Sequence, residues 1–184
     1  EQVIEEIISG NYSISERTLI EVSTSETNKQ LSELNFALNE ITISRKNTTS
    51  MISIETKLNQ NYLNTYWADG LIISTPTGST GYSLSCGGPI IMPEAENLVI
   101  TPIAPHNLNA RPLIIADNTE INLNVNGREN EFLISLDSRI TTLNNSSKLV
   151  IKKSDFKIKM IELRDESFLM TLREKLLWGK DKRN

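Results

Sequence analysis

The chain has 184 residues, 38% of them hydrophobic, which is enough for one well-buried domain but too little for two full domains. A net charge of −4 argues against a broad nucleic-acid interface, because phosphate binding needs clustered lysine and arginine. One cysteine and one histidine cannot form an intrachain disulfide or a structural zinc site. With apolar runs far too short to span a bilayer, we expect a cytoplasmic protein without a nucleic-acid or membrane partner.

The first predicted element is a short helix. Val3, Ile4, Ile7 and Ile8 recur at helical spacing, and Gly10 follows as a helix stop. The sequence therefore predicts one amphipathic helix at the N-terminus, with an apolar stripe that needs a partner.

From Arg17 onward, apolar and polar residues mostly alternate, which predicts half-buried strands. The predicted strands are Thr18 to Val22, Phe36 to Ser44, Ile52 to Leu58, Leu71 to Ser74, Leu98 to Thr101, Leu113 to Ala116, Ile121 to Val125, Phe132 to Ile134, Leu149 to Lys152 and Phe156 to Glu162. Asn126-Gly127 is a strong hairpin signal and predicts that Ile121–Val125 pairs with Phe132–Ile134.

Helical spacing returns near the end of the chain. The apolar residues that carry it are Phe168, Leu169, Leu172, Leu176 and Leu177, and Gly179 follows at the position of a C-cap. The predicted fold class is mainly β, a β-sandwich of many short strands with a short N-terminal helix and a C-terminal helix.

Function is concentrated in one segment, Asp69 to Ile90, which reads DGLIISTPTGSTGYSLSCGGPI. A short buried strand, Leu71-Ile72-Ile73, breaks at Pro76 into hydroxyl side chains and glycines. Glycines let the main chain approach a ligand, and small hydroxyls supply neutral donors and acceptors. The segment is interpreted either as a ligand cradle or as an ordinary Ser/Thr/Gly surface loop.

This segment resembles the signature of the NAD kinase family, D-G-x-x-x-S-T-P-x-G-S-T-x-Y-S-L-S-x-G-G-P, from Asp69 to Pro89. Other similar segments follow the family's order: Leu38-Asn39-Glu40, the run from Thr101 to His106 with Arg111-Pro112-Leu113 after it, and Leu172 to Gly179. Two departures stand inside the signature, Gly81 where alanine is frequent and Cys86 where a smaller residue is expected.

The resemblance implies an enzyme that phosphorylates the adenosine ribose 2'-hydroxyl of NAD to give NADP. It covers only the C-terminal part of the family's architecture, because the Gly-Gly-Asp-Gly motif that carries the catalytic aspartate is absent. We therefore expect residues 1–16 to be a remnant helix and connection from a missing N-terminal α/β domain. Residues 17–184 would form the NAD-binding β-sandwich domain, inactive alone and without a catalytic residue of its own.

The same resemblance implies which residues contact NAD. They are Asn39, Glu40, Asp69, Thr77, Thr80, Gly81, Tyr82, Ser83, Leu84, Ser85, Ala104 and Arg139. Asn39 and Glu40 lie in one predicted strand, so they would point to opposite faces unless a bulge or a strand end turns both inward. The Asp137-Ser138-Arg139 turn resembles another ligand-facing segment of the family, in which an uncharged polar residue is common at the position of Arg139.

The implied partners are NAD or NADP, ATP or polyphosphate as phosphoryl donor, and further copies of the chain in a homodimer or homotetramer. Mg²⁺ or another divalent metal would come with the donor. The alternative is a non-catalytic nucleotide-binding or oligomerisation module.

Other nucleotide and hydrolase motifs fit poorly. Gly78-Ser79-Thr80 has no lysine for a Walker A loop, and no Gly-x-Gly-x-x-Gly appears. A serine hydrolase triad of Ser83, His106 and Asp137 is conceivable, but the Gly-x-Ser-x-Gly elbow is missing.

Overall fold

The computed structural model describes residues 2–47, 50–163 and 167–178. The chain divides into two compact units, one made of Glu1–Arg17 with Ile158–Asn184 and the other of Thr18–Lys157. No helix among the described residues is long and apolar enough to cross a membrane.

Strands dominate the chain order of elements. They are α1 (Gln2–Ile8), β1 (Tyr12–Thr24), α2 (Lys29–Glu33), β2 (Phe36–Ala37), β3 (Glu40–Arg45), β4 (Ile52–Leu58), β5 (Asn61–Ala68), β6 (Gly70–Ser74), a 3-10 turn (Thr77–Thr80), α3 (Tyr82–Ser85), β7 (Asn97–Ile103), β8 (Leu113–Ala116), β9 (Ile121–Asn126), β10 (Glu131–Leu136), β11 (Arg139–Asn144), β12 (Lys148–Leu163) and α4 (Phe168–Lys175).

These strands form two six-stranded sheets. The first has the order β2-β1-β12-β9-β4-β5 and the second the order β11-β10-β3-β6-β7-β8. Alternate residues of both sheets meet in one buried apolar cluster, for example Ile54 and Val125 from the first sheet and Ile43, Ile73 and Phe132 from the second. The predicted β-sandwich with a short helix at each end of the chain is confirmed. Period-two burial gives each sheet one apolar face, and the two faces share this core.

The predicted hairpin at Asn126-Gly127 is wrong. β9 lies in the first sheet, between β12 and β4, whereas β10 pairs with β3 and β11 in the second. A type I′ turn needs positive φ at both central residues, and neither Asn126 nor Gly127 has it. The segment instead carries the chain from one sheet to the other, so Val125 and Phe132 meet in the core and not across a ladder.

The strand predicted over Phe36–Ser44 is broken at Leu38-Asn39. β2, before the break, pairs with β1 in the first sheet, and β3, after it, pairs with β6 and β10 in the second. The chain therefore crosses between the sheets here. The crossing places Asn39 and Glu40, called the dyad below, at the end of the sandwich where β3 begins.

Two strands were not predicted, β5 and β11. The β4–β5 turn is Asn59-Gln60, with φ of 46° and 68°, so a hairpin turn forms here without glycine. The β10–β11 turn is Asp137-Ser138, where Asp137 has φ of 53°. Both turns lack the glycine that signals such geometry in a sequence.

Both terminal helices form. Gly10 has φ of 74° after α1, as expected of a glycine stop, and Ser167 caps α4 by accepting from the Met170 N–H at 3.2 Å. The predicted cap at Gly179 lies outside the described residues. The strands predicted at Leu149–Lys152 and Phe156–Glu162 are one continuous strand, β12.

Candidate functional site

The Asn39-Glu40 dyad is held by a single carboxylate. The backbone N–H groups of Leu38, Asn39 and Glu40 donate to the Asp137 carboxylate at 3.0, 2.7 and 3.2 Å. The Asp137 N–H donates in return to the Glu40 carbonyl at 3.0 Å. Three consecutive N–H groups that converge on one anion fix the chain direction just where Glu40 begins β3.

The carbonyl side of the dyad is held by the loop that follows β6. Thr75 donates its N–H to the Asn39 carbonyl at 2.9 Å and its hydroxyl to the Leu38 carbonyl at 2.6 Å. A Cβ on Gly78 would lie 2.1 Å from the Asn39 carbonyl oxygen. Only glycine fits at this contact, so the glycine of the signature sequence brings the loop against the dyad.

Hydroxyl side chains on the inside of the loop form hydrogen bonds to other groups of the protein. Ser79 donates to the Pro76 carbonyl at 2.7 Å and accepts from the Ile91 N–H at 3.0 Å. Ser83 and Thr101 share a hydrogen bond of 2.8 Å, and both residues are fully buried. Ser83, a predicted contact, thus has its hydroxyl occupied inside the protein.

The outward side of the loop is formed by other predicted residues. Thr80, Gly81, Tyr82 and Ser85 are exposed. Tyr82 and Ser85 have no side-chain hydrogen bond to the described part of the chain, so their hydroxyls are available to a ligand. Leu84 and Thr77 are partly buried between the two groups.

Glu40 joins the dyad to this outward face. A Cβ on Gly81 would lie 3.5 Å from Oε2 of Glu40, which places the carboxylate directly beside the exposed part of the loop. The Glu40 carboxylate has no hydrogen-bond donor among the described residues. Burial, and secondarily the charge of Asp137, raise its pKa above the usual glutamate value. It is therefore a partly buried acceptor that remains available to a ligand.

Asp69 and Ala104 form a neighbouring group. Asp69 donates its N–H to the Ile103 carbonyl at 3.0 Å, and Ala104 follows with a φ of 44°. The Asp69 carboxylate pairs with Arg45 at 2.9 Å, a partner that no motif of the sequence indicated. Burial, then Cys86 and the charge of Asp69, raise the pKa of Tyr82. The Asp69 carboxylate therefore acts electrostatically on the Tyr82 hydroxyl of the loop.

Arg139 is engaged by the protein. Its guanidinium donates to the carbonyls of Leu34, at 3.1 Å, and Phe36, and it stacks 5.6 Å from the Phe36 ring centroid. Its closest approach to Asp137 is 4.0 Å. These contacts hold the segment that leads into the dyad.

The hydrolase alternative has no support in the geometry. Ser83 bonds to Thr101, Asp137 bonds to three backbone N–H groups, and the His106 ring lies 5.4 Å from that of Trp67. Among the described residues, no three His, Cys, Asp or Glu side chains gather as metal ligands.

Sequence reasoning did not indicate that Asp137 and Thr75 support the dyad. Both act through backbone groups, and no period or motif of the sequence indicates which backbone N–H groups a distant carboxylate will meet. A turn of Asp137-Ser138 between two short strands was the available signal, since aspartate tolerates positive φ.

Comparison with known proteins identifies the family. Residues 38–163 match the family model described as the ATP-NAD kinase C-terminal domain. The chain belongs to this family. It is 64% identical over 182 residues to the NAD kinase of Flavobacterium johnsoniae, covering 99% of the chain and 62% of that relative. The NAD kinase of Bacteroides fragilis is 45% identical over 183 residues, covering 100% of the chain and 62% of the relative. The chain thus spans about three fifths of the length of these relatives.

Solved structures of the family share the fold. A yeast NADH kinase complexed with NADH superposes with a TM-score of 0.86 at 23% identity, covering 98% of this chain and 55% of that one. An NAD kinase from Archaeoglobus fulgidus in complex with ATP gives 0.73 at 22% identity, covering 97% and 64%. The expected family and fold are confirmed.

Proposed function

We propose that this chain provides the NAD-binding domain of an enzyme that phosphorylates the adenosine ribose 2'-hydroxyl of NAD to give NADP. The observation that carries the proposal is the Glu40 carboxylate, half-buried, without a donor, and next to the exposed turn at Gly81. A ribose diol offers two O–H donors to such an acceptor, and hydrogen bonds to an ionised acceptor are the strong ones.

The remaining predicted contacts divide by position. Asn39 precedes Glu40, Gly81 lies beside its carboxylate, and Thr77 and Thr80 belong to the turn that leads to Gly81, so these four would take the adenosine half. Asp69 directly precedes β6 and Ala104 directly follows β7, and both would take the nicotinamide half together with the exposed Tyr82 ring. Ser85 extends this exposed face.

Ser83, Leu84 and Arg139 would contribute differently from the other predicted contacts. The Ser83 hydroxyl is occupied by Thr101, and the Arg139 guanidinium by two carbonyls, so both groups bond to the protein and not to NAD. The Leu84 side chain is partly buried and can offer only apolar contact.

The divalent metal belongs in this proposal to the phosphoryl donor, ATP or polyphosphate. The described residues gather no set of metal ligands, and donor phosphates bind such a cation themselves. We assign no catalytic base to this chain, because Glu40 and Asp69 serve as a diol acceptor and as the partner of Arg45. The chain incubated with NAD, ATP and Mg²⁺ should give no NADP above a blank, and turnover would contradict this assignment.

A titration with parts of the ligand tests the proposed binding. Isothermal titration of the chain with NAD, AMP and nicotinamide mononucleotide separates the two halves. We expect NAD to bind most tightly and AMP to bind more tightly than the mononucleotide, since Glu40 and the loop face the adenosine. Equal or absent binding of all three would contradict the proposal.

Assembly of several copies is a second candidate role, as a homodimer or homotetramer. β5 is an edge strand of the first sheet, and it exposes Tyr62 and Trp67 by 63% and 58%. Exposed edge strands with large apolar side chains are prone to pair with another chain. Sedimentation of the chain and of a Trp67→Lys variant tests this role, and identical monomeric profiles would exclude β5 as the interface. We place the protein in the cytoplasm, on its single unpaired cysteine.

A further inference from the structure

We infer that Asp137 is a positioning residue for NAD binding, which holds the Asn39-Glu40 dyad in its binding conformation without touching the ligand. The inference rests on the proposed function and assigns a role to a residue outside the predicted contact set.

The two carboxylate oxygens of Asp137 accept hydrogen bonds from different residues. Oδ1 accepts from the N–H groups of Asn39 and Glu40, at 2.7 and 3.2 Å, and Oδ2 accepts from Leu38 at 3.0 Å. These N–H groups belong to the crossing between the sheets, and Leu38 and Asn39 lie outside both flanking strands. A backbone segment without ladder partners needs another source of order.

The position of Asp137 is itself fixed by the fold. It follows Leu136, which pairs with Ile41 across β10 and β3, and its own N–H bonds to the Glu40 carbonyl. Its φ of 53° turns the chain at this point, and its carbonyl accepts from the Ser135 hydroxyl at 2.7 Å. The carboxylate is thus aimed at the dyad by a rigid hairpin.

The segment that Asp137 holds is also bonded to the loop that follows β6. The carbonyls of Leu38 and Asn39 accept from Thr75, and the Asn39 carbonyl also packs against Gly78. Asp137 on one side and Thr75 on the other therefore clamp the same short segment, and a displaced dyad would also displace the turn at Gly81 that faces Glu40.

Asp137 also acts on Glu40 through its charge. The neighbouring elements present Asp137 from the β10–β11 turn, Ser74 across β3 and β6, and Gly81 from the loop, and Asp137 is the charged member of this set. The Arg139 guanidinium lies 4.0 Å beyond the Asp137 carboxylate. Removing the charge of Asp137 should therefore ease ionisation of Glu40.

A graded pair of variants tests the inference. Asp137→Asn keeps one oxygen for Asn39 and Glu40 but presents an amide to Leu38, and Asp137→Ala removes every acceptor. The readouts are NAD affinity by isothermal titration and amide hydrogen exchange of residues 38–40 by NMR. We expect about tenfold weaker binding or worse in Asp137→Ala, a smaller loss in Asp137→Asn, and exchange that accelerates in the same order.

The pH profile separates positioning from a purely structural role. If Glu40 binds NAD as a carboxylate, affinity falls as pH drops through its pKa, and Asp137→Asn should move that fall to lower pH. A residue that only stabilises the fold would lower the unfolding temperature but leave the pH profile of the folded protein in place.

The matched control is Asp117→Asn. Asp117 is a nearly buried carboxylate bonded to Lys153, so its loss also costs stability, but it makes no contact with the dyad. Its NAD affinity and its exchange at residues 38–40 should match those of the wild type.

An Asp137→Ala variant that is folded and binds NAD within about twofold of wild type would overturn the inference. If wild type itself binds no NAD, the proposed function fails. Hydrogen exchange alone then tests whether Asp137 holds the dyad in place. Unchanged exchange in Asp137→Ala would refute it, and accelerated exchange would support it.

Discussion

The two sides of the hydroxyl-rich loop use the same residue types for opposite purposes. On the inward side, Ser79 and Ser83 are fully buried and bond to groups of the protein. On the outward side, Tyr82 and Ser85 are exposed, with hydroxyls that bond to nothing in the described part of the chain. The difference teaches that a serine in this signature is structural or ligand-facing according to its burial, which the motif does not encode.

The largest expected effect is on the inward side, at Gly78. Gly78→Ala forces a Cβ to 2.1 Å from the Asn39 carbonyl, and backbone on both sides must shift. We expect a loss of about 3 kcal/mol of unfolding free energy, measured by urea denaturation, together with loss of NAD binding.

The control is Gly81→Ala on the outward side, where the added Cβ would meet Gly78 O at 3.2 Å and Glu40 Oε2 at 3.5 Å. It should be much milder, and equal destabilisation by the two variants would break the comparison.

Thr75→Val should give the next largest effect. Valine has nearly the shape of threonine, but it leaves the Leu38 carbonyl and the Gly78 N–H without their partner. Unpaired buried groups of this kind cost about 1–3 kcal/mol, so thermal unfolding should move to a clearly lower temperature. Thr80→Val, at an exposed position, is the matched control and should leave the unfolding temperature unchanged.

Two serines only two residues apart sharpen the comparison. Ser83→Ala removes the bond to Thr101 and should cost about 1 kcal/mol of stability while NAD affinity stays near wild type. Ser85→Ala should leave stability unchanged and weaken NAD binding. Calorimetric unfolding and titration on both variants measure the two quantities, and a reversed pattern would mean that burial does not sort the hydroxyls.

The smallest expected effect is on stability, at Glu40. Its pKa is raised in the folded state, so its contribution to stability is present below the ordinary glutamate pKa and is lost as pH rises through the raised pKa. Glu40→Gln should therefore raise the unfolding temperature at pH 7, and the gain should vanish below about pH 4. The same variant should bind NAD less well, since the proposed diol acceptor loses its charge. A lower unfolding temperature at pH 7 would show that burying the ionised Glu40 carboxylate does not destabilise the fold.

The sequence predicted most of this fold because period-two burial is a local signal. Ile52 to Leu58 and Ile121 to Val125 form the strands that their alternation indicated. The turn at Asn126-Gly127 misled, because a good hairpin pair does not decide whether two strands share a sheet. β5 and β11 were missed because their turns at Asn59-Gln60 and Asp137-Ser138 adopt positive φ without glycine.

The resemblance supplied a composition for the candidate site but not the contacts that hold it together. The resemblance placed Asn39, Glu40 and the loop residues, and the structure brings Glu40 beside Gly81. The sequence could not show that Asp137 and Thr75 hold the dyad, since these contacts join residues 98 and 37 positions apart through backbone groups. Long-range partners of single N–H and C=O groups leave no periodic trace.

The central claim is that this domain forms a dinucleotide site around the dyad. The most direct test is isothermal titration with NAD of the wild type, an Asn39→Ala, Glu40→Ala double variant, and an Asn109→Ala control at an exposed loop position. We predict saturable binding by the wild type and the control, and its loss in the double variant. Equal affinity in all three folded proteins, or no binding by a folded, monodisperse wild type, would contradict the claim.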